Sequence, residues 1–221
     1  MKLYVVSGSP NARKVQSVAG HLGLEITQVF LDFSRGDTKS PGYLEINPTG
    51  RVPALEDDGF VLWESNAINK YLCSKCPGNT LYPVDPRVQA DIDRWLSWEL
   101  AHYNQQLGIL TFQTVVKPNF FGQPPDAPLV AWSVRNLRAH ADVLERHLEG
   151  KRYLVGDDIT LADYAMIHVE LLKDMTSFDW SPYPNINDYY DRMRAVPHWA
   201  RTAVPLEEAG RIPADAIAFA A

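Results

Sequence analysis

Residues 47–55 read Asn-Pro-Thr-Gly-Arg-Val-Pro-Ala-Leu, and the pair Glu64-Ser65 follows nine residues later. A Val-Pro step in front of an apolar strand predicts a cis bond at Pro53, which leaves the N–H and C=O of Val52 to a ligand. Glu64-Ser65 precedes a helical pattern, so a carboxylate, a hydroxyl and free amides meet at a helix N-terminus, where a ligand carboxylate can bind. Together the two segments predict a pocket for an extended, peptide-like ligand with a free amino-acid end.

The rest of the first half alternates between strand and helix patterns. Residues 2–7 form an apolar, β-branched run that predicts a buried strand, and Ser9-Pro10 is typical of a helix start. Further strands are predicted over 25–32, 52–56 and 60–63, and helices over 42–45 and 65–73. This order predicts a mixed sheet with helices on its faces.

The pattern changes after residue 77, where turn residues and prolines replace the alternation. We predict a first domain over 1–77, a linker over 78–86 and an all-helical domain over 87–221, with no further strand. The predicted helices cover 88–116, 129–148, 160–175, 184–196 and 197–203, with a break at 118–128. Thr160 and Asp163 have the spacing of a capping box. The predicted fold class is therefore α/β plus all-α.

Composition and charge exclude several classes of function. The net charge is −6 without a basic run, so nucleic acid is not an expected partner. No apolar stretch is long enough for a membrane span or a signal peptide. Two cysteines, Cys73 and Cys76, indicate a reducing, cytoplasmic setting, and their place at a helix end favours a structural role. The six histidines show no ligand spacing, so no metal is expected.

In this order, the motifs resemble the cytosolic glutathione S-transferase family over nearly the whole chain. Residues 47–55 look like that family's Asn-Pro-x-Gly-x-Val-Pro-x-Leu segment, and Glu64-Ser65 looks like its Glu-Ser pair. Residues 156–163 are similar to the segment that opens the buried helix of the family's second domain. The resemblance implies a thioredoxin-like first domain, a helical-bundle second domain and glutathione as co-substrate.

The chemistry of such a protein requires a thiolate, and the loop after the first strand offers donors to the sulfur. A free thiol has a pKa of about 8.5, and a hydroxyl that donates to the sulfur favours the charged form. Ser9 in residues 9–15 resembles the serine of serine-type transferases such as the phi and delta classes. The same stretch is similar to the Thr-Pro-Asn segment of a bacterial disulfide-reductase group, which makes Asn11 a rival and Ser7 a third candidate. The alternative for Ser9 is a simple helix cap.

The remaining contacts to glutathione are implied by the resemblance. Val52 would pair its backbone with the cysteinyl part, with Pro53 as the cis residue. Glu64 would bind the γ-glutamyl ammonium and Ser65 its carboxylate. The glycyl carboxylate would lie beside Lys39, assisted by Arg51; the alternative for both is a solvated loop charge.

One position departs from the family pattern. Several classes have arginine after Glu-Ser, whereas this chain has Asn66, so it lacks that charge of the network around the γ-glutamyl group. Glu99 on the long helix is interpreted as a solvated residue of a helix face; the alternative is that it reaches the γ-glutamyl region from a partner subunit.

The second substrate is expected to be a hydrophobic electrophile bound by the second domain. Candidate wall residues are Tyr103, Gln106, Leu110, Phe112, Phe120, Phe121 and Trp132. Phe120 and Phe121 are predicted in a loop rich in proline and glycine. The resemblance implies conjugation of the glutathione thiolate to that electrophile, with a glutathione-dependent disulfide-bond oxidoreductase and a non-catalytic binding protein as alternatives. It also implies a twofold homodimer.

Overall fold

A computed structural model of the chain describes residues 1–205 and 207–220, which form two compact units. The first unit contains Met1–Asn79 and the chain from Val196 onward, and the second contains Thr80–Ala195. The division near residue 79 lies within the predicted linker. The residues after 195 differ from the prediction, because they group with the first unit rather than with the helical domain.

The first unit is built on a five-stranded sheet in the order β4-β3-β1-β2-β5. Its first four strands are β1 (Lys2–Val5), β2 (Thr27–Phe30), β3 (Ala54–Asp57) and β4 (Phe60–Trp63). β1 runs parallel to β2 and antiparallel to β3, and β3 and β4 form a hairpin. The hairpin turn places Asp58 and Gly59 at positive φ, as the predicted Asp-Gly turn requires.

Three helices flank these strands: α1 (Pro10–His21), α2 (Pro41–Ile46) and α3 (Ser65–Ser74). α1 and α3 cover one face of the sheet, because Val15 of α1 and Ile68 of α3 share a buried cluster with Leu3 and Leu55 of the strands. α2 packs on the other face of the sheet, where its Tyr43 belongs to a second buried hydrophobic cluster. The sheet is thus fixed on both sides, which makes its ends a rigid support for a site.

The second unit is helical, as predicted. Its helices are α4 (Pro86–Trp98), α5 (Asn104–Thr111), α6 (Lys117–Phe121), α7 (Ala127–Leu148), α8 (Leu161–Ile167), α9 (Glu170–Met175) and α10 (Pro184–Arg194). Two π-helical turns, Glu99–Tyr103 and Phe112–Val116, join α4, α5 and α6 into one helical run. Within the described residues, no helix combines the length and the apolarity needed to cross a bilayer.

The predicted break at 118–128 begins too early. Pro118 lies at the junction between the π-helical turn and α6 and does not end the helical run. The helical run therefore continues to Phe121 and ends at Gly122, which has φ +62°. Phe120 and Phe121 consequently lie on a helix and not in a loop.

The predicted helix over 160–175 is two helices, separated at His168 and Val169. The capping box at its start is confirmed, and the carboxylate of Asp163 accepts hydrogen bonds from the backbone N–H of Thr160 at 2.8 Å and of Leu154 at 2.9 Å. Burial raises the pKa of Asp163.

The prediction of a solvated Glu99 is wrong. Its side chain is fully buried in the π-helical turn after α4, and its Oε1 lies 3.9 Å from Nδ1 of His168. Glu99 lies three and four residues after Leu96 and Trp95, which are also buried, so regular helical spacing places it on the buried face. The expectation failed because a charged side chain is rarely buried this completely.

The chain after the second unit contains α11 (Pro197–Ala200) and a short strand, β5 (Ile217–Ala218). β5 pairs in parallel with Val29 and Phe30 of β2. The expectation of no further strand is therefore wrong. A two-residue strand carries no alternation that a sequence pattern could show.

Candidate functional site

Three chain segments meet at one end of the sheet of the first unit. Tyr4 of β1 pairs with Ala54 of β3, and Ala54 pairs with Trp63 of β4. The end of β1, the start of β3 and the end of β4 therefore lie side by side. The loops at this end carry Ser9, the Val52-Pro53 step and Glu64-Ser65, which brings the sequence-predicted segments together.

Ser9 is the N-cap of α1. Its Oγ accepts from the N–H of Ala12 at 3.5 Å, and its own N–H donates to the C=O of Val6 at 3.0 Å. The capping bond uses an oxygen lone pair and leaves the hydroxyl hydrogen available as a donor. Capping the helix and donating to a sulfur are therefore compatible roles for one side chain.

Asn11, two residues further along, points to the third helix. The hydroxyl of Ser65 donates to Oδ1 of Asn11 at 3.0 Å. One helical turn later, Nζ of Lys14 donates to Oδ1 of Asn66 at 2.8 Å. Two consecutive residues at the start of α3 are thus held by side chains of α1 at i and i+3, which face the same way.

Lys14 is a site residue that sequence reasoning missed. It is almost completely buried. Its ammonium group contacts Asn66, which occupies the position where several classes have arginine. The only signal in the sequence is its spacing of three residues from Asn11 on one helix face. Its partner Asn66 belongs to a distant helix, so the contact follows from the tertiary fold and not from any local pattern.

The bond between Val52 and Pro53 is cis, as predicted. In the described part of the chain, neither the N–H nor the C=O of Val52 has a backbone partner. The preceding carbonyl, that of Arg51, accepts from Tyr43 Oη and from Asn47 Nδ2, both at 2.7 Å. Tyr43 and Asn47 are buried and fix this loop, and neither stood out in the sequence as a site residue.

Glu64 and Ser65 open the third helix in an unusual backbone conformation. Glu64 has φ +72°, which non-glycine residues rarely adopt and which is common at ligand sites. Its side chain is exposed, whereas Ser65 is buried. The first N–H groups of a helix have no partner within it, so they face the space beside Ser65 as donors for an anion.

Two cations lie on the other flank of the Val52-Pro53 step, and the side chains of Lys39 and Arg51 are both exposed. Nζ of Lys39 donates to the C=O of Thr49 at 3.3 Å. This packing requires Gly50, which has φ +60° and whose added Cβ would stand 2.5 Å from that Nζ and 2.8 Å from the C=O of Thr38. The glycine of the quoted segment therefore lets the Lys39 side chain lie along the backbone of the loop.

The two cysteines are free thiols near the end of α3. Burial raises the pKa of Cys73 to about 12, with a smaller contribution from Cys76. A thiol with such a pKa carries almost no thiolate at neutral pH and is a poor nucleophile. Among the residues that the structure describes, no group of three or more His, Cys, Asp or Glu side chains is arranged to hold a metal.

The second unit separates the candidate wall residues into two sets. Three are buried in its core, namely Tyr103, Gln106 and Leu110. The ring of Tyr103 stacks on Trp98, and Oε1 of Gln106 accepts from the hydroxyl of Ser133 at 2.9 Å. The expectation that these three line a pocket is therefore corrected. The exposed set comprises Phe112, Phe120, Phe121 and Trp132, of which Phe120 is 77% exposed.

Comparison with known families matches both parts of the chain. Residues 1–74 match the family model "Glutathione S-transferase, N-terminal domain", and residues 105–197 match "Glutathione S-transferase, C-terminal domain". A curated relative, "Probable glutathione S-transferase GSTF2" of Oryza sativa subsp. japonica, is 36% identical over 195 residues, which is 88% of each chain.

Solved structures give the same result. The crystal structure of glutathione transferase F7 from Populus trichocarpa is similar over 91% of this chain and 96% of its own, with a TM-score of 0.81 and 27% identity. The structure of Ure2p in complex with glutathione covers 91% of each chain, with a TM-score of 0.79 and 27% identity. The predicted fold class is thereby confirmed.

Proposed function

The chain belongs to the glutathione S-transferase family, and from this premise we propose that Ser9 activates the thiol of glutathione for attack on a hydrophobic electrophile. The hydroxyl of Ser9 donates to the sulfur, and this bond stabilises the thiolate more than the thiol. A hydrogen bond to a charged group is worth about 1.5–3 kcal/mol, and the N-terminus of α1 adds roughly 0.3–1 kcal/mol. Together they lower the thiol pKa by about 1–3 units.

The reaction needs no covalent enzyme intermediate. The thiol proton passes to solvent, and a sulfur lone pair then forms a bond to an electrophilic carbon. The leaving group departs with the electron pair of its broken bond, or an activated double bond takes up a proton. The gain in rate comes from a higher thiolate fraction and from positioning of the sulfur.

Glutathione lies in an extended form along the end of the sheet. Its cysteinyl backbone pairs with the N–H and C=O of Val52, which have no backbone partner in the described part of the chain. Its γ-glutamyl carboxylate accepts from the first amides of α3, and also from Ser65 once that hydroxyl turns its single hydrogen from Asn11 to the ligand. Glu64 holds the ammonium. The glycyl carboxylate lies near Lys39 and Arg51, whose exposed side chains supply positive charge on that flank.

Asn11 acts on the γ-glutamyl end rather than on the sulfur in this proposal. The observation that supports this role is the 3.0 Å hydrogen bond from Ser65 to its Oδ1, which orients the hydroxyl beside the start of α3. The hydrophobic electrophile lies against the exposed aromatic side chains of the second unit, Phe112, Phe120 and Phe121. All three rings are exposed, and the ring centroids of Phe112 and Phe121 are 6.3 Å apart.

Two assays on the same preparation test the function. We expect glutathione-dependent conjugation of a nitro-aryl halide to exceed reduction of hydroxyethyl disulfide. The reverse order would identify a disulfide-bond oxidoreductase, and glutathione binding without either activity would identify a binding protein. A serine, and not a cysteine, stands at the N-terminus of α1, so a protein thiolate is not offered there and any disulfide reduction would use the thiolate of glutathione itself.

The working form is a cytoplasmic homodimer in this proposal. Edge strand β4 exposes apolar side chains, with Phe60 50% and Trp63 39% exposed. An uncovered apolar edge strand favours association, and a twofold dimer is the commonest closed form. Sedimentation equilibrium at micromolar concentration should give twice the chain mass of 24.9 kDa. A monomer at that concentration would contradict the proposal.

A further inference from the structure

The last part of the chain folds back over the loop that carries Ser9. We call residues 196–205 and 207–220 the C-terminal strap. It contains α11 and β5 but little other regular structure, and it belongs to the first unit. Its contacts are arranged in three places, at the side of α1, above the turn after β1 and along β2.

The strap is anchored first on α1. The guanidinium of Arg13 lies 4.1 Å from the ring centroid of Trp199, and its Nε donates to Oγ1 of Thr202 at 3.2 Å. A cation over an indole ring is a favourable contact, and the added hydrogen bond fixes its direction. Arg13, the arginine of the motif that contains Ser9, thus holds the strap.

A second anchor lies at the far end. β5 pairs with β2, and the N–H of Phe219 donates to the C=O of Phe30 at 2.8 Å. The ring of Phe219 packs edge-on against Tyr4 at 6.0 Å and Tyr43 at 5.8 Å. The strap therefore runs from the side of α1 to the edge of the sheet beside β2.

Between the anchors, the strap contacts the turn from Ser7 to Ser9. The N–H of Gly210 donates to the C=O of Ser7 at 2.8 Å. A Cβ added to Gly8 would stand 3.0 Å from Cβ of Ala209, and Gly8 itself has φ +76°. The strap thus packs against the outer side of this turn, and it donates a hydrogen bond to the first carbonyl of the turn, that of Ser7.

We propose that the C-terminal strap positions the Ser9 hydroxyl, with Ala209 and Gly210 as positioning residues that act through Gly8 and Ser7. The inference rests on the proposed role of Ser9 at the sulfur. A turn with φ +76° at its centre is free to change its dihedrals in glycine, and a small rotation there would displace the hydroxyl that follows. The strap restricts that rotation from outside the site, without contact with glutathione.

A double-mutant cycle tests the contact. In Gly8→Ala the new methyl group meets Ala209, so we expect kcat/KM to fall by roughly ten- to a hundredfold, the effect of displacing a reacting group by about 1 Å. The pH at which the rate is half-maximal should rise, while the dissociation constant of glutathione changes far less. Ala209→Gly alone should give a smaller loss, and Gly8→Ala/Ala209→Gly should recover much of the rate and the original pH profile.

Gly59→Ala is the matched control, because Gly59 has φ +83° but no atom within 4 Å of an added Cβ. Gly59→Ala places an alanine at a similar positive φ but creates no contact with the strap. Its effect on kcat/KM should therefore simply add to that of Ala209→Gly. Equal impairment in Gly8→Ala and in the double variant would overturn the proposal. A general loss of folded protein would lower the rate at every pH and would leave the profile in place.

A second pair of variants decides the question if Gly8→Ala does not fold. Phe219→Ala removes the far anchor, and we expect the same rise in the half-maximal pH; lost packing on Tyr43 would appear separately, as weaker glutathione binding. Ile217→Ala is its control, since Ile217 is 57% exposed and contributes to the sheet through its backbone. A folded Phe219→Ala with the parental profile would overturn the proposal. If Ser9→Ala itself leaves the profile unchanged, the assignment of the sulfur contact fails instead.

Discussion

Ser9→Ala should lower kcat for conjugation by roughly ten- to a hundredfold while the dissociation constant of glutathione changes little. The lost interaction is a charge-assisted hydrogen bond of about 1.5–3 kcal/mol, and each 1.4 kcal/mol is about tenfold in rate. Because the bond stabilises the thiolate and not the thiol, the pKa of the bound thiol should rise by about 1–2 units. The measurements are the pH dependence of kcat/KM and a spectroscopic titration of the thiolate in the complex with glutathione.

Two further variants separate donation to the sulfur from capping of the helix, since Ser9 also caps α1. Ser9→Thr keeps both the acceptor and the donor and should retain most of the activity. Ser9→Asp keeps an acceptor for the N–H of Ala12 but offers no donor, so it should fold normally and lose activity. Conjugation that survives in both Ser9→Ala and Ser9→Asp would move the sulfur contact to Asn11 or Ser7.

The parts of the site that the sequence predicted are those with a local cause. The cis bond at Pro53 and the cap at Ser9 depend on residues next to each other in the chain. The partners that hold these segments come from elsewhere. Tyr43 donates to the C=O of Arg51, and Lys14 donates to Asn66 in another helix. Such pairs have no fixed spacing, so a single sequence contains no pattern that predicts them.

The errors in the second unit have a different origin. Regular helical spacing places Glu99 and Tyr103 on the same face as Trp95 and Leu96, and all four side chains are buried. The helical pattern was therefore sound, and the residue types misled. A carboxylate is rarely buried completely, and an aromatic ring on a helix fits either a core or a pocket wall.

The strap is the largest part of the fold that composition alone did not indicate. Its three prolines favour irregular structure, and no sequence pattern places it on the first unit. The reason is tertiary, because β2 would otherwise be an open edge and the rings of Tyr4 and Tyr43 would lose the packing of Phe219.

The second large expected effect is on stability, in the variant Asp163→Ala. Its buried carboxylate accepts four hydrogen bonds, from the N–H of Leu154 and the hydroxyl of Tyr189 at Oδ1, and from the N–H and hydroxyl of Thr160 at Oδ2. Removing the acceptor leaves these buried donors without this partner, which destabilises the folded state. We expect a loss of about 3–5 kcal/mol and a fall in melting temperature of roughly 6–20 °C, measured by circular dichroism.

Asp163→Asn distinguishes hydrogen bonding from packing, because the amide has nearly the same volume but replaces one acceptor oxygen with an NH2 group. Two of the four donors then face another donor. The loss in the free energy of unfolding should therefore remain large, although the buried charge is gone. Asp126→Ala is the matched control, since Asp126 caps α7 through one hydrogen bond to Leu129 at an exposed position. That variant should lose only about 1 kcal/mol. If Asp163→Asn were as stable as Asp126→Ala, the carboxylate would act as an ordinary cap, and the stability of the second unit would depend on the apolar side chains around it.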